Sequence, residues 1–292
     1  MLSILASLAL IWLTFATVWP SLDLDWEADT TEGAPAVTIS TTTQQPEFPS
    51  GAAVIIETRT TPNLVPLLLH FSATLGAGWP VVLFTPAEAW TPPASAALHR
   101  ALAEGRIRIR HLPANLTGFA THNSVSLFLS GEWLWAQLTD APRVLLFQTD
   151  SVICANANGT VDDFARWDLV GAPIAPRWGR GYNGGLSLRN PRLMRDIARS
   201  HGDEFRRANS APGGGALPAH ERFEDQWFYS KAVEMGASLP GPEVAREFAV
   251  ETVYFERPLG FHQPARWQKD KMEEILAWCP EVAMLEGQAK FG

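Results

Sequence analysis

The sequence predicts an α/β protein whose mostly parallel sheet carries helices on both faces. Three observations predict it. Short apolar runs rich in β-branched residues (AAVIIE at 52–57, PVVLFT at 80–85, RVLLFQ at 143–148) alternate with longer helical patterns, the signature of a parallel sheet buried on both sides. The runs are four to eight residues long and bounded by turn residues, which selects strand over buried helix. Finally, 46% of the 292 residues are hydrophobic and 18% charged, enough apolar surface for a sizeable core.

The elements follow in order. Ala52–Glu57 is expected as a buried strand, with Thr58-Arg59-Thr60 at its carboxyl end. Leu64–Leu75 is expected as a helix stopped by Gly76 and Gly78, and Pro80–Thr85 as a second buried strand. Ala94–Ala103 reads as a helix and Ile107–His111 as a half-buried strand by its alternation. Asn123 or Ser124 offers an N-cap for a helix over Val125–Leu138, and Arg143–Gln148 follows as a strand delivering Asp150 to its carboxyl end. Beyond it come a short helix at Val161–Arg166, a strand at Leu169–Ala172, a glycine turn plus strand at Tyr182–Arg189, and a helix at Leu193–Ser200. Residues 207–218 have loop composition. A helix is expected over Glu221–Met235, a strand over Phe248–Phe255, a turn at Phe261-His262-Gln263 and a final helix over Ala265–Trp278.

Ahead of this domain, residues 1–19 form an uncharged apolar run ended by Pro20, long enough to span a membrane. No basic residue precedes Arg59, so charge asymmetry does not orient it. An uncleaved signal-anchor is favoured over a signal peptide, and either route enters the secretory pathway. Residues 20–50, rich in Thr, Pro, Glu and Asp, read as a stem or linker, so the folded domain is expected over 51–292. Sequons at Asn115 and Asn158 suit that route, and Cys154 and Cys279 are available for one disulfide in an oxidising lumen. A net charge of −8 argues against nucleic acid as a partner and requires a cation or local arginines beside any phosphate-bearing ligand.

Four features carry chemistry, each with a plainer alternative. Asp150 at a strand tip suits a metal–diphosphate site, where one or two protein carboxylates suffice, or is a solvated loop aspartate. Asn183-Gly184-Gly185 lets a ligand approach the backbone, or makes a tight turn. Glu224-Asp225 offers a general base, or complements a helix dipole. His262 is a metal ligand or a structural histidine. Neither G-x-G-x-x-G after the first strand nor G-x-x-x-x-G-K-[ST] occurs, and the missing basic phosphate loop disfavours a nucleotidyltransferase. Most of the twelve tryptophans are expected to pack in the core, and Trp178 is the one best placed by sequence to lie near the site.

Taken in order, Asp150, Asn183-Gly184-Gly185, Glu224-Asp225 and His262 resemble the GT-A glycosyltransferase core, whose Asp-rich motif, glycine loop, x-Glu-Asp motif and late histidine follow this succession. The stretches FQTDS, VGAP, YNGGLSLRN, EDQWF and GFH also resemble a family of fungal GT-A-like domains of unknown function, over roughly Ala52 to Trp267. The resemblance implies a GT-A-like, Rossmann-like sheet with flanking helices in one globular domain. It implies transfer of a sugar from a nucleotide-diphosphate donor, a UDP-sugar first, to a hydroxyl of a glycan or glycoprotein, from a single-pass Golgi membrane protein. Asp150 and His262 would hold Mn²⁺ or Mg²⁺. Thr58, Arg59, Gln148 and Thr149 would contact the donor, and Asn183, Gly184 and Gly185 would lie under donor sugar and acceptor. Asp225 would be the base and Glu224 would hydrogen-bond the acceptor. Gln148 stands where that motif has its first aspartate; it can bond a ribose but adds no charge. A non-catalytic carbohydrate- or nucleotide-sugar-binding descendant is the alternative that this departure favours.

Overall fold

The core forms because alternate residues of each central strand feed opposite sides of one sheet. The computed structural model describes residues 46–210 and 217–285. The apolar run 1–19, most of the stem and the Gly213–Gly215 stretch lie outside the described residues. Among the described residues, no helix is long and apolar enough to cross a membrane.

The chain runs β1 (Ala52–Ile56), α1 (Leu64–Leu75), β2 (Val81–Thr85), α2 (Ala96–Ala103), β3 (Ile107–His111), α3 (His122–Leu129), α4 (Glu132–Ala136), β4 (Val144–Phe147), β5 (Ser151–Ile153), β6 (Leu169–Pro173) and β7 (Tyr182–Arg189). It continues through α5 (Pro191–Ser210), α6 (Glu224–Glu234), α7 (Pro242–Phe248), β8 (Ala249–Val250), β9 (Gly260–His262), α8 (Pro264–Trp267) and α9 (Met272–Trp278). The main sheet has the order β3-β2-β1-β4-β7-β6. Its first four strands are parallel, and β7 runs antiparallel to both neighbours. A smaller sheet, β5-β9-β8, sits beside it.

Successive residues of a strand face opposite ways. Ala53 and Ile55, Val81 and Leu83, and Leu145 and Phe147 therefore join one apolar layer with α1 and α2, where Phe71 stacks on Phe147 at 3.8 Å. Ala52 and Val54, Val82 and Phe84, and Val144 and Leu146 join the other, with α4, α5 and α6. Phe48 is buried in that second layer, and Glu47 pairs with Arg108 and Arg110.

Several elements differ from expectation. The helix expected over Val125–Leu138 is two, broken at Ser130-Gly131, and its cap is Thr121. The Thr121 hydroxyl accepts from the Ser124 N–H, and the Ser124 hydroxyl accepts from the Thr121 N–H, a capping box. Where a helix was expected to end at Ser200, α5 continues to Ser210 because Phe205 and Ala208 extend the buried stripe of Met194 and Ile197 past Gly202. The expected strand Phe248–Phe255 shrinks to two residues after α7. The expected turn at Phe261-His262 is strand β9, paired in register with β5 (Ser151 opposite His262). The expected final helix is split, with a 3₁₀ turn at Lys269–Lys271 between α8 and α9.

Cys154, just after β5, is joined to Cys279, just after α9, with Cα atoms 4.9 Å apart and a sequence separation of 125. Closing a loop of that length stabilises by about 4–5 kcal/mol in the chain-entropy model. Cys279→Ser is expected to lower Tm by about 8–20 °C at roughly 2–4 °C per kcal/mol, measured by scanning calorimetry. An unchanged Tm would mean that the bridge closes nothing the native contacts do not already hold.

Candidate active site

Parallel strands leave their carboxyl ends open where neighbouring connections diverge, and ligands bind there. β1 and β4 are such neighbours. Beyond their ends lies a cavity of about 480 Å³, walled by Glu57, Thr58 and Arg59 after β1 and by Gln148, Thr149 and Asp150 after β4. Phe119, Val125 and Phe128 supply an apolar side, and Gln263 closes the rim. Thr58, Arg59, Gln148, Thr149 and Asp150, expected together from sequence, are together here.

Glu57 changes the electrostatics of this cavity. Its carboxylate accepts the Arg59 backbone N–H at 2.8 Å and the guanidinium at 3.0 Å through both oxygens. Arg59 is thus fixed, and much of its charge is matched before any ligand arrives.

Behind the rim, β5 and β9 bring Asp150 and His262 face to face. Asp150 Oδ1 and His262 Nε2 are 3.4 Å apart, both buried, and neither makes a hydrogen bond. On its other side His262 Nδ1 donates to Glu251 Oε1 at 3.1 Å. Gln263 donates from Nε2 to Asp150 Oδ2 at 2.7 Å and from its backbone N–H to the Asp150 carbonyl at 2.9 Å. To do so it adopts a left-handed backbone, φ 47°, uncommon outside glycine and typical of functional sites.

Burial raises the Asp150 pKa, but His262 and Gln263 outweigh it and hold the carboxyl below its usual range. Burial lowers that of His262, while Asp150 and Glu251 lift it to about 9. At neutral pH a proton therefore stands where a cation would, and metal binding would displace it. A carboxylate oxygen and an imidazole nitrogen that face each other without a hydrogen bond suit a divalent cation, and Glu251 on Nδ1 is the support such a histidine needs. Among the described residues, no group of three or more His, Cys, Asp or Glu side chains forms a metal cluster; the remaining positions would fall to ligand and water.

Asn183, Gly184 and Gly185 do not line the cavity. They lie in β7, where the register slips against β6 between Gly171 and Ala172, and make room for the chain's own side chains. A Cβ on Gly185 would come within 2.2 Å of His262 Nε2. One on Gly184 would meet Arg189 Nη2 at 2.6 Å and Glu224 Oε1 at 2.8 Å. Asn183 Oδ1 accepts from the Gly185 N–H at 2.7 Å.

Glu224 and Asp225 open α6, set there by an extended Phe223 that separates them from the preceding 3₁₀ turn. Glu224 is buried against Arg189 at 3.2 Å, and the Arg189 guanidinium lies over Trp135 and Phe228. Asp225 accepts the Gly184 N–H at 3.1 Å and the Gln226 N–H at 2.7 Å. Burial first, and the Glu224 charge second, push the Asp225 pKa up to about 7, the range of a working general base.

The structure thus joins Asp150 with His262 and the cavity, and reaches Glu224-Asp225 through the adjacent backbone of Gly184-Gly185. Sequence reasoning missed Glu57, Glu251, Gln263 and Arg189. Gln263 and Arg189 abut recognised motifs; Glu251 carries no local signal.

Residues 106–262 match the model of a family described as a protein of unknown function, DUF5672. The chain belongs to that family. The match runs from the start of β3 to His262, taking in Asp150, the glycine pair and Glu224-Asp225. No curated protein matches the chain. Among solved structures, it is similar to the apo glycosyltransferase GlyE of Streptococcus pneumoniae TIGR4, at 14% identity and TM-score 0.45, over 73% of this chain and 54% of that one. The mannosyltransferase PcManGT of Pyrobaculum calidifontis, in complex with GDP-Man and Mn²⁺, is similar at 14% identity and TM-score 0.40, over 67% and 55%. The mannosyltransferase Ktr4p of S. cerevisiae reaches 9% identity and TM-score 0.33, over 54% and 62%. The chain spans about half the length of the first structures it matches. The likeness is faint and carries no argument for an activity.

Gly185→Ala is expected to cost about 1–3 kcal/mol through overpacking against His262, a drop of roughly 3–10 °C in Tm. Gly118→Ala, whose Cβ would meet only Thr58 Oγ1 at 3.8 Å, should leave Tm within about 1 °C. Equal melting of the two variants would contradict the close packing described.

Proposed function

We propose that this chain is a glycosyltransferase that moves a sugar from a nucleotide-diphosphate donor, a UDP-sugar first, to a hydroxyl of a glycan or glycoprotein. One observation carries the reading: Asp150 Oδ1 and His262 Nε2, buried and facing each other at 3.4 Å without a hydrogen bond at the rim of the β1–β4 cavity. In this reading the nucleotide occupies the cavity, with Thr58, Gln148 and Thr149 as polar contacts and Phe119 and Phe128 as apolar wall. Arg59, held by Glu57, orients donors more than it supplies charge. Asp150 and His262 would hold Mn²⁺ or Mg²⁺, which would offset the charge of the leaving diphosphate.

Asp225 takes the proton of the acceptor hydroxyl. Its two hydrogen bonds from Gly184 and Gln226 fix the carboxylate, and its raised pKa makes it basic enough to accept that proton near neutral pH. Glu224, paired with Arg189, sustains that elevation by its charge, a role different from direct contact with the acceptor. Gln148 in place of an acid, and Glu57 matching Arg59, favour the second reading, a nucleotide-sugar-binding protein without turnover.

The Cys154–Cys279 disulfide and the exposed sequon asparagines Asn115 and Asn158 support a lumenal site in the secretory pathway, Golgi first, with residues 1–19 as the membrane anchor.

A thermal-shift screen of UDP- and GDP-sugars is expected to show a Mn²⁺-dependent rise in Tm that Asp150→Ala abolishes. Identical shifts in both proteins, with and without Mn²⁺, would remove the metal from the scheme. Asp225→Asn should lower kcat by about 10²–10⁴-fold with donor affinity unchanged. Asp225 must be deprotonated to act, so kcat/KM should rise with pH and level off above about 7. Donor hydrolysis equal in wild type, Asp150→Ala and Asp225→Ala would sink the enzyme reading.

A further inference from the structure

Trp178, half exposed at 52%, is the largest exposed apolar side chain among the described residues, and it does not stand alone. Its ring meets Trp267 edge-on at 5.5 Å. Arg177 lies over Trp178 at 5.7 Å and Arg266 over Trp267 at 4.8 Å. Arg177, Arg180 and Arg266 are all exposed. Arg266 donates to the neutral Gln263 amide, and none of the three pairs with a carboxylate among the described residues. Arg177 and Arg266 thus lie over one indole pair with no carboxylate partner, in a chain of net charge −8, and Arg180 follows two residues after Trp178 on the same loop.

The platform is pinned on two sides. The loop between β6 and β7 that carries Trp178 is pressed onto α6. The Arg180 N–H donates to Gln226 Oε1 at 3.0 Å, and a Cβ on Gly179 or Gly181 would strike Gln226 at 1.8 Å or Tyr229 at 2.3 Å. Both glycines have positive φ, 144° and 84°, so the loop conformation is built in. Its other end is tied by the Ala175 N–H to Thr252 Oγ1 at 2.9 Å, next to Glu251. Trp267 hangs from α8, which starts directly after Gln263, and Gln268 holds the Glu251 carbonyl at 2.6 Å. The indole pair thus sits on the segments that carry Asp225 on one side and His262 on the other.

We infer that the Trp178–Trp267 pair with Arg177, Arg180 and Arg266 is the acceptor subsite, and that it takes an acidic glycan bearing uronate residues. A uronate offers an apolar ring face and a planar carboxylate in one unit. The first matches an exposed indole, the second the fork of a guanidinium. Naming this ligand the acceptor rests on the transferase reading; its binding does not.

The test measures binding of hexagalacturonate and of maltohexaose to the purified chain by tryptophan fluorescence and calorimetry. UDP with Mn²⁺ serves as a separate probe of the β1–β4 cavity. Hexagalacturonate is expected to bind at least ~10-fold tighter than maltohexaose, and to weaken as salt rises from about 50 to about 200 mM. Trp178→Ala and the double variant Arg177→Ala/Arg180→Ala should each weaken it by at least ~10-fold, while Trp178→Phe retains most of the affinity. UDP binding and Tm should not change in any of them. Equal affinity for the two hexasaccharides, or undiminished hexagalacturonate binding by both altered proteins, would overturn the inference. Hexagalacturonate binding that follows this pattern without any UDP binding would sink the transferase reading and leave the acidic-glycan surface standing.

Discussion

A buried imidazole held between two carboxylates is the constraint on which the rest of the site depends. Removing one charge from water is costly unless it is paired, and His262 meets a carboxylate on each side, hydrogen-bonded to Glu251 at Nδ1 and 3.4 Å from Asp150 at Nε2. That arrangement requires β9 to lie in register beside β5, because Ser151 opposite His262 is what delivers Asp150 to the ring. It requires Gly185 next to the imidazole, since any side chain there would occupy the ring's own volume. It also requires the left-handed Gln263, whose amide fixes the second oxygen of Asp150 and leaves the first facing His262.

The same stretch of β7 organises the other half. Gly184 does for Arg189, Glu224 and Asp225 what Gly185 does for His262, so two adjacent residues without side chains separate the two charged clusters. The Arg189 guanidinium is enclosed by Trp135, Phe228 and Glu224, in surroundings where an ion pair is weakly screened. Glu224 is committed to that pair, and its charge reaches Asp225 from a fixed position. The polar side chains around the glycines are therefore coupled through backbone packing, and their geometry has little freedom to relax independently.

The strand–helix alternation was legible because each central strand is a run of β-branched and aromatic residues interrupted by turn residues. Leu64–Leu75 and Ile107–His111 appear with the boundaries their patterns imply, while in Tyr182–Arg189 the expected glycine turn is part of strand β7. Short-range pattern failed where a tertiary contact decides. Gly202 looks like the end of a helix, yet α5 passes through it, and Phe248–Phe255 looks like a strand although α7 leaves two residues for β8. β9 is three residues long and owes its extended form to β5, more than a hundred residues earlier in the chain. Glu251 belongs with these, because nothing in its local sequence marks it as a partner of His262, whereas Glu57 meets Arg59 only two residues away.

By itself, the sequence determined the α/β class, most central strands, and the presence of Asp150, the glycine pair, Glu224-Asp225 and His262. Residue type and spacing settle hydrophobic burial and the supply of titratable groups. The tertiary structure alone decided which of these groups meet: that Gly184 and Gly185 yield space to the protein's own charges, that Glu57 claims Arg59, and that Cys154 reaches Cys279. It also decided that Trp178 and Trp267 form one surface. Apart from Glu57 and Arg59, two residues apart, those pairings are long-range, and the electrostatic fate of a side chain depends on neighbours that the local pattern does not contain.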